Sequence, residues 1–208
     1  GGAVLGVTNL ANGSTVSSIG ASSSGSANLV FNGGTLLYTG GNASFTQITQ
    51  TPSVSTDRLF TLAGNGSIDS SGNYGNSASF AVNQNNAALV FSNTGSVAYA
   101  GTGVRTLTLT GNSTGDNELK LALGDNGASA LSVNKAGGGL WLLSGSNTYT
   151  GATTIVAGML QAQDGAGLPT NSNLTINGGT FQSSGTFTRT LGTGAGQIQF
   201  LATGGLAA

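Results

Sequence analysis

The sequence predicts an all-β fold, and within that class a right-handed parallel β-helix, a solenoid whose strands stack on those of the preceding turn. Three observations predict it. Short runs alternate apolar and polar residues, which gives a strand one buried face. These runs are separated by Gly-Gly, Asn-Gly and Ser-Gly breaks, the residues that turn a chain at least conformational cost. An internal repeat recurs along the chain, as in stacked-repeat architectures.

Among the first runs, Leu29 and Phe31 share one parity. Leu107 and Leu109 oppose Thr106, Thr108 and Thr110. Between Asn117 and Leu123, Leu119, Leu121 and Leu123 share a face, with Glu118, Lys120 and Ala122 on the other. Leu174 and Ile176 form a further pair, and corners fall at Asn32-Gly33-Gly34 and Asn177-Gly178-Gly179. Those two corners lie in the internal repeat, residues 28–40 against 173–185, identical at seven of thirteen positions. Downstream, Arg58 followed by Gly66-Ser67-Ile68-Asp69 echoes Arg189 followed by Gly196-Gln197-Ile198-Gln199. Rungs of roughly 20 to 25 residues at ~4.8 Å spacing give about 8 to 10 coils and a rod some 40 to 50 Å long. A β-sandwich is the competing all-β arrangement, and it would favour clearer hairpin pairs and more charged outer faces.

Composition narrows the function classes. Gly, Ser, Thr and Asn supply 109 of the 208 residues, and charged residues are 5%, against about 25% in ordinary soluble domains. The hydrophobic fraction of 38% with a net charge of -1 is unlike a disordered chain. Without His or Cys there is no Ser-His-Asp triad, Cys-His pair, His/Cys zinc site or disulfide framework. Five Lys plus Arg make no basic patch for nucleic acid or anionic lipid. No run reaches the roughly 20 apolar residues that span a bilayer. A surface solvated by hydroxyls and amides suits an extracellular β-structure. With Gly at residue 1 and an incomplete second unit ending in Gly204-Gly205-Leu206-Ala207-Ala208, residues 1–208 read as a single solenoid segment of a longer chain.

The most specific segment is residues 135–161. It opens with Lys135, Gly137 and Gly139, continues through Trp141 and Leu143-Ser144-Gly145, and reaches Asn147-Thr148-Tyr149-Thr150-Gly151. Thr153-Thr154-Ile155 and Gly158-Met159-Leu160 follow. This segment resembles the autotransporter-associated β-strand repeat, also called the passenger-associated transport repeat. Ala152 stands where the family often has Gly, Met159 where it usually has Thr, and Leu140 and Leu142 where polar residues are usual. The flanking strands and corners extend the likeness over most of residues 100–200.

Physically the motif reads as two strands joined by a tight corner. Trp141 and Leu143 point inward, Gly145 and Asn147 turn the chain, Tyr149 lies over the corner, and Ile155 and Leu160 return to the core. Asn147 is expected to hydrogen-bond backbone groups of a neighbouring rung. Leu140 and Leu142, if outward, form an apolar stripe suited to self-association; the alternative is that a loop covers them. The resemblance implies a bacterial cell-surface passenger segment, exported across the outer membrane. There it would act as a stalk, fibre-building or adhesion module that assists passenger secretion, with no catalytic residue, metal or cofactor. The expected partners are other copies or a host or matrix surface.

Other functions find weaker footholds. A polysaccharide-acting β-helix needs clustered carboxylates; Asp116, Glu118 and Lys120 lie at i, i+2 and i+4 on one face, a pattern of mutually screened charges. Asp57 and Arg58, being adjacent, face opposite ways. Asp125-Asn126-Gly127 reads as a turn rather than a calcium loop, and Gly192, Gly194 and Gly196 as a corner rather than a phosphate cradle. An ice or crystal binder needs the Thr106, Thr108 and Thr110 row repeated in successive rungs, and no strict short period is present. Asn-x-Ser/Thr sequences occur at Asn12, Asn42, Asn65, Asn112 and Asn173 and arise readily in this composition.

Overall fold

Strict alternation gives every strand an inward and an outward row, and the chain buries the inward rows by coiling on itself. The computed structural model describes residues 2–39, 53–71 and 87–207. The strands Val4–Val7, Thr35–Tyr38, Gly66–Ser70, Arg105–Thr110, Leu131–Lys135, Thr153–Ile155, Leu174–Ile176 and Ile198–Phe200 make one eight-stranded sheet, the long sheet. A second sheet of seven holds Val54–Thr56, Leu89–Phe91, Asn117–Leu119, Leu140–Leu143, Met159–Ala162, Thr180–Ser183 and Gly205–Ala207. A short sheet holds Val30–Phe31, Thr61–Leu62 and Ala98–Tyr99.

Every pairing between these strands is parallel. Each partner is one coil away in the chain, as a parallel β-helix requires; opposed antiparallel sheets are not what this chain builds. Val133 pairs with Thr153, twenty residues on, and Thr153 with Leu174, twenty-one on. Nearer the N-terminus the coils are longer than the expected 20 to 25 residues. Val4 pairs with Thr35, thirty-one on, and Gly66 with Leu107, forty-one on. The extra length lies between strands, leaving the pairing in register.

Inside, like stacks on like. The central inward column of the long sheet runs Leu36, Ile68, Leu109, Lys135, Ile155 and Ile176, all buried. Lys135 is the one polar member. The second sheet stacks Trp141, Leu160 and Phe181. Where the short sheet widens the coils, Phe31, Phe60 and Phe91 fill the interior edge to face, with centroids 5.3 and 5.9 Å apart. The short sheet stops at Tyr99, and later coils fold back directly from the second sheet to the long one. On the outward parity the long sheet carries Thr35, Ser67, Thr108, Asn134, Thr154, Thr175 and Gln199 in one column, hydroxyls and amides throughout, with Thr175 buried against Asn173 and Gln199.

The two Asn-Gly-Gly segments are both corners, with Gly33 and Gly178 at φ 81° and 119°. The first joins the short sheet to the long sheet and the second joins the long sheet to the second sheet. Gly40, which closes the first repeat copy, and Asn42 lie outside the described residues.

Candidate functional site

From Gly139 to Thr150 burial alternates residue by residue, so the chain stays extended through the corner that follows Leu143. Trp141 and Leu143 are buried as expected, and the Trp141 indole donates to Thr110 O of the preceding coil at 2.9 Å. Gly145 and Asn147 keep the same inward parity. A Cβ on Gly145 would collide with Leu121 O, so only Gly lets this coil close on the one before. Asn147 bridges both neighbours: its Oδ1 accepts from Leu123 N and its Nδ2 donates to Gly167 O, each at 2.8 Å. Both amide ends are satisfied in a buried position, where an unmade bond is costly.

Tyr149 departs from expectation. It is fully buried rather than lying over the corner. Its hydroxyl meets Thr153 Oγ1 at 2.7 Å, Thr153 meets Ser172 Oγ at 2.9 Å, and Ser172 donates to Gly151 O. This hydroxyl chain gives the phenol its partner, and burial raises the Tyr149 pKa. Thr148 and Thr150 are exposed, and their amides bond to the preceding coil, Thr148 N to Leu123 O and Thr150 N to Asp125 Oδ1. Gly151 N donates to Leu131 O at 3.0 Å. Thr154 faces outward between Asn134 and Thr175, and Leu160 is buried.

Lys135 enters the core with the parity of Leu131 and Val133, then bends to a corner. Its Nζ donates to Ala136 O at 2.7 Å, Gly137 O at 2.8 Å and, in the next coil, Ala157 O at 3.1 Å. Burial lowers its pKa to about 8. Gly158, at φ 64°, leaves room for this arrangement, since a Cβ there would meet Lys135 Nζ.

Leu140 and Leu142 face outward and are half-buried. Leu140 lies beside Met159, and Leu142 between Glu118 and Gln161. Glu118 pairs with Lys120 at 3.5 Å and accepts from Ser144 Oγ at 2.5 Å, while Asp116 is exposed. Among the described residues no three acidic side chains form a metal-sized cluster.

Sequence reading missed several staples. Asn117 is buried, accepts from Leu89 N at 2.9 Å and Ser70 Oγ at 2.6 Å, and donates to Leu140 O at 2.7 Å, the same bridging geometry as Asn147. Asp125 accepts from Leu131 N, Thr150 N and the Thr150 hydroxyl. Partial burial opposes ionisation there, but the three donors prevail and hold its carboxyl below the usual range. Of the two arginines of the repeat echo, Arg58 is buried and Arg189 is half-buried with its side chain only 3% exposed. Arg58 donates to Ala11 O, Ser22 O and Gly20 O at 2.9 to 3.1 Å. Arg189 pairs with Asp164 at 2.7 Å and also reaches Pro169 O and Ser172 O. The signal for Asn117 was its parity, polar among Leu119, Leu121 and Leu123.

These bonds hold coil to coil, and residues 133–162 match the Passenger-associated-transport-repeat family model. The chain therefore carries this repeat, as the motif at 135–161 suggested. It is also similar to the Adhesin BmaC autotransporter of Brucella suis biovar 1 (strain 1330), with 42% identity over 164 residues, 77% of this chain. The chain spans 4% of that relative's length. No solved structure matches.

Proposed function

We infer that this segment is a rigid, non-catalytic length of an extracellular passenger stalk that presents an adhesive surface outside the bacterial cell. The observation that carries the reading is the register of the passenger repeat. Its strands continue without a slip into coils on either side, through Val133, Thr153 and Leu174. Likeness to an autotransporter adhesin supports both the cell-surface location and the contact with a host or matrix surface. Stacking coil upon coil also offers a route for assisting secretion: each emerging coil finds a formed edge to pair with, so folding proceeds vectorially. Glu118, engaged by Lys120 and Ser144, supports a solvated row over a catalytic acid.

Register supplies the test. Deleting residues 134–153 removes one twenty-residue coil, while deleting 134–143 removes half of one. In a passenger displayed on a bacterial surface, the full-coil deletion is expected to retain parallel-β circular dichroism and surface display, and the half-coil deletion to lose both. Equal display of the two would show that stacking register does not govern export.

Self-association through Leu140 and Leu142 is supported by their outward, half-buried positions beside Met159. Changing both to Thr should lower light scattering of concentrated chain without altering its melting. Unchanged scattering removes the stripe from the account.

A further inference from the structure

Asn followed by Gly is the dipeptide most open to self-modification. Glycine has no side chain to crowd its amide, so that nitrogen can close on the preceding carboxamide. In a folded chain two conditions must hold. The carboxamide has to be free to turn toward the amide, and the amide has to be free to give up its proton, as in hydrogen exchange. Five Asn-Gly pairs occur, beginning at Asn12, Asn32, Asn65, Asn126 and Asn177, and all five lie among the described residues.

Three are held by the carboxamide. Asn12 Oδ1 accepts from Asp57 N at 2.9 Å, and Gly13 N is itself bonded to Asp57 Oδ1 at 2.7 Å. Asn65 Oδ1 accepts from Thr106 N at 2.9 Å. Asn126 Nδ2 donates to Gly101 O and Gly103 O of the preceding coil at 3.0 and 3.3 Å.

Asn32 and Asn177 form a matched pair. Both stand in the sequence Asn-Gly-Gly-Thr, both are exposed with the glycine that follows, and both glycines have positive φ. Neither carboxamide makes a hydrogen bond among the described residues. Each corner has a neighbouring coil on both sides, residues 2–3 and 63–65 around the first, 156–158 and 201–204 around the second. The difference is one amide. Gly33 N donates to Asn65 O at 2.6 Å. At the second corner the inter-coil bonds pass over Gly178: Asn177 N and Gly179 N go to Ile155 O, Leu201 N to Ile176 O and Gly205 N to Gly179 O. Among the described residues Gly178 N has no acceptor.

We propose that Asn177-Gly178 is a self-modification site, converting in the folded chain to aspartate and isoaspartate while the other four Asn-Gly pairs stay intact. Gly178 N gives its proton to solvent and bonds to Asn177 Cγ. The Cγ–Nδ2 bond breaks, and Nδ2 takes up a proton and leaves as ammonia, closing a succinimide. Water then opens the ring. Cleavage of the new N–Cγ bond gives aspartate, and cleavage of the original peptide bond leaves the chain running through Cγ as isoaspartate. Either product adds a negative charge to a chain of formal net charge -1. The isoaspartate also adds a methylene to the backbone, at a corner between the strands Leu174–Ile176 and Thr180–Ser183.

The test incubates the full 208-residue chain in mildly alkaline buffer, folded and in urea. Peptide mapping by mass spectrometry locates amide-to-acid conversion, and enzymatic methylation detects isoaspartate. In urea Asn32 and Asn177 should convert at like rates, since their neighbours are the same. Folded, Asn177 should convert roughly fivefold or more faster than Asn32, the ratio one net hydrogen bond implies. Amide exchange should be faster at Gly178 than at Gly33, and Asn177→Gln should remove the folded-state isoaspartate signal. Equal folded rates at Asn32 and Asn177, an Asn177 that converts only in urea, or isoaspartate persisting in the folded Gln variant overturns the proposal.

Discussion

Replacing Asn147 by Ala separates the inter-coil amide from the rest of the motif. The side chain makes two bonds of 2.8 Å in a buried position, one to the coil before and one to the coil after. Ala leaves Leu123 N–H and Gly167 C=O without that partner, at about 1–3 kcal/mol for each orphaned group. The expected loss is therefore roughly 2–6 kcal/mol, which in a domain of this length lowers the melting temperature by about 4–24 °C. Trp141, the single tryptophan, lies six residues upstream in the same coil and reports the event locally. Urea melts followed by its emission and by far-ultraviolet circular dichroism give the number. Asn147→Asp keeps an acceptor for Leu123 but loses the donor to Gly167 and buries a charge, so it should be worse than Ala at neutral pH and recover partly in acid. An Ala variant within about 0.5 kcal/mol of the parent would refute the view that these amides bind coil to coil.

Stability should rise between about pH 8 and pH 10. Folded Lys135, lowered to about 8, has released a proton that the unfolded chain still holds. Above pH 10 the sign reverses, because Tyr99, raised by burial to about 12, and Tyr149 keep protons that the unfolded chain releases. Chemical melts across this range should therefore peak near pH 10, and Lys135→Met should flatten the rising limb, worth about 2–3 kcal/mol; an unchanged limb would exclude Lys135 as its source. Gly145→Ala should destabilise by more than the few tenths of a kcal/mol typical of an exposed site, because the added methyl meets Leu121 O; a neutral result in the same urea melts would show that the coil can shift to admit it. Asp125→Asn should selectively speed amide exchange at Leu131 and Thr150, the two amides its carboxylate holds.

The strands were legible where parity was clean. Leu107 with Leu109, the Leu119 to Leu123 row, and Trp141 with Leu143 all face inward as read. Parity tells which side of a strand is buried, but it does not say how many residues separate a strand from its partner. The long coils before residue 105 were therefore unreadable, because their extra residues lie between strands and leave no mark on the alternation. The bridging role of Asn147 followed from its place at a corner. Lys135 could be identified as a motif residue, but its inward course could not, since a long side chain can leave a strand on one face and end at a corner. Tyr149 was misplaced for a related reason. Its buried hydroxyl partner comes from Thr153 and Ser172, residues that hydropathy alone reads as surface.

Length changes that fall between strands have an evolutionary consequence. A segment may be gained or lost in a connection without shifting a single ladder bond, as coils of twenty and of forty-one residues in one sheet show, so the connections are free to diversify while the strands stay fixed by their pairing. A lineage exposed to changing hosts would thus be able to revise its outer contacts while keeping its spine.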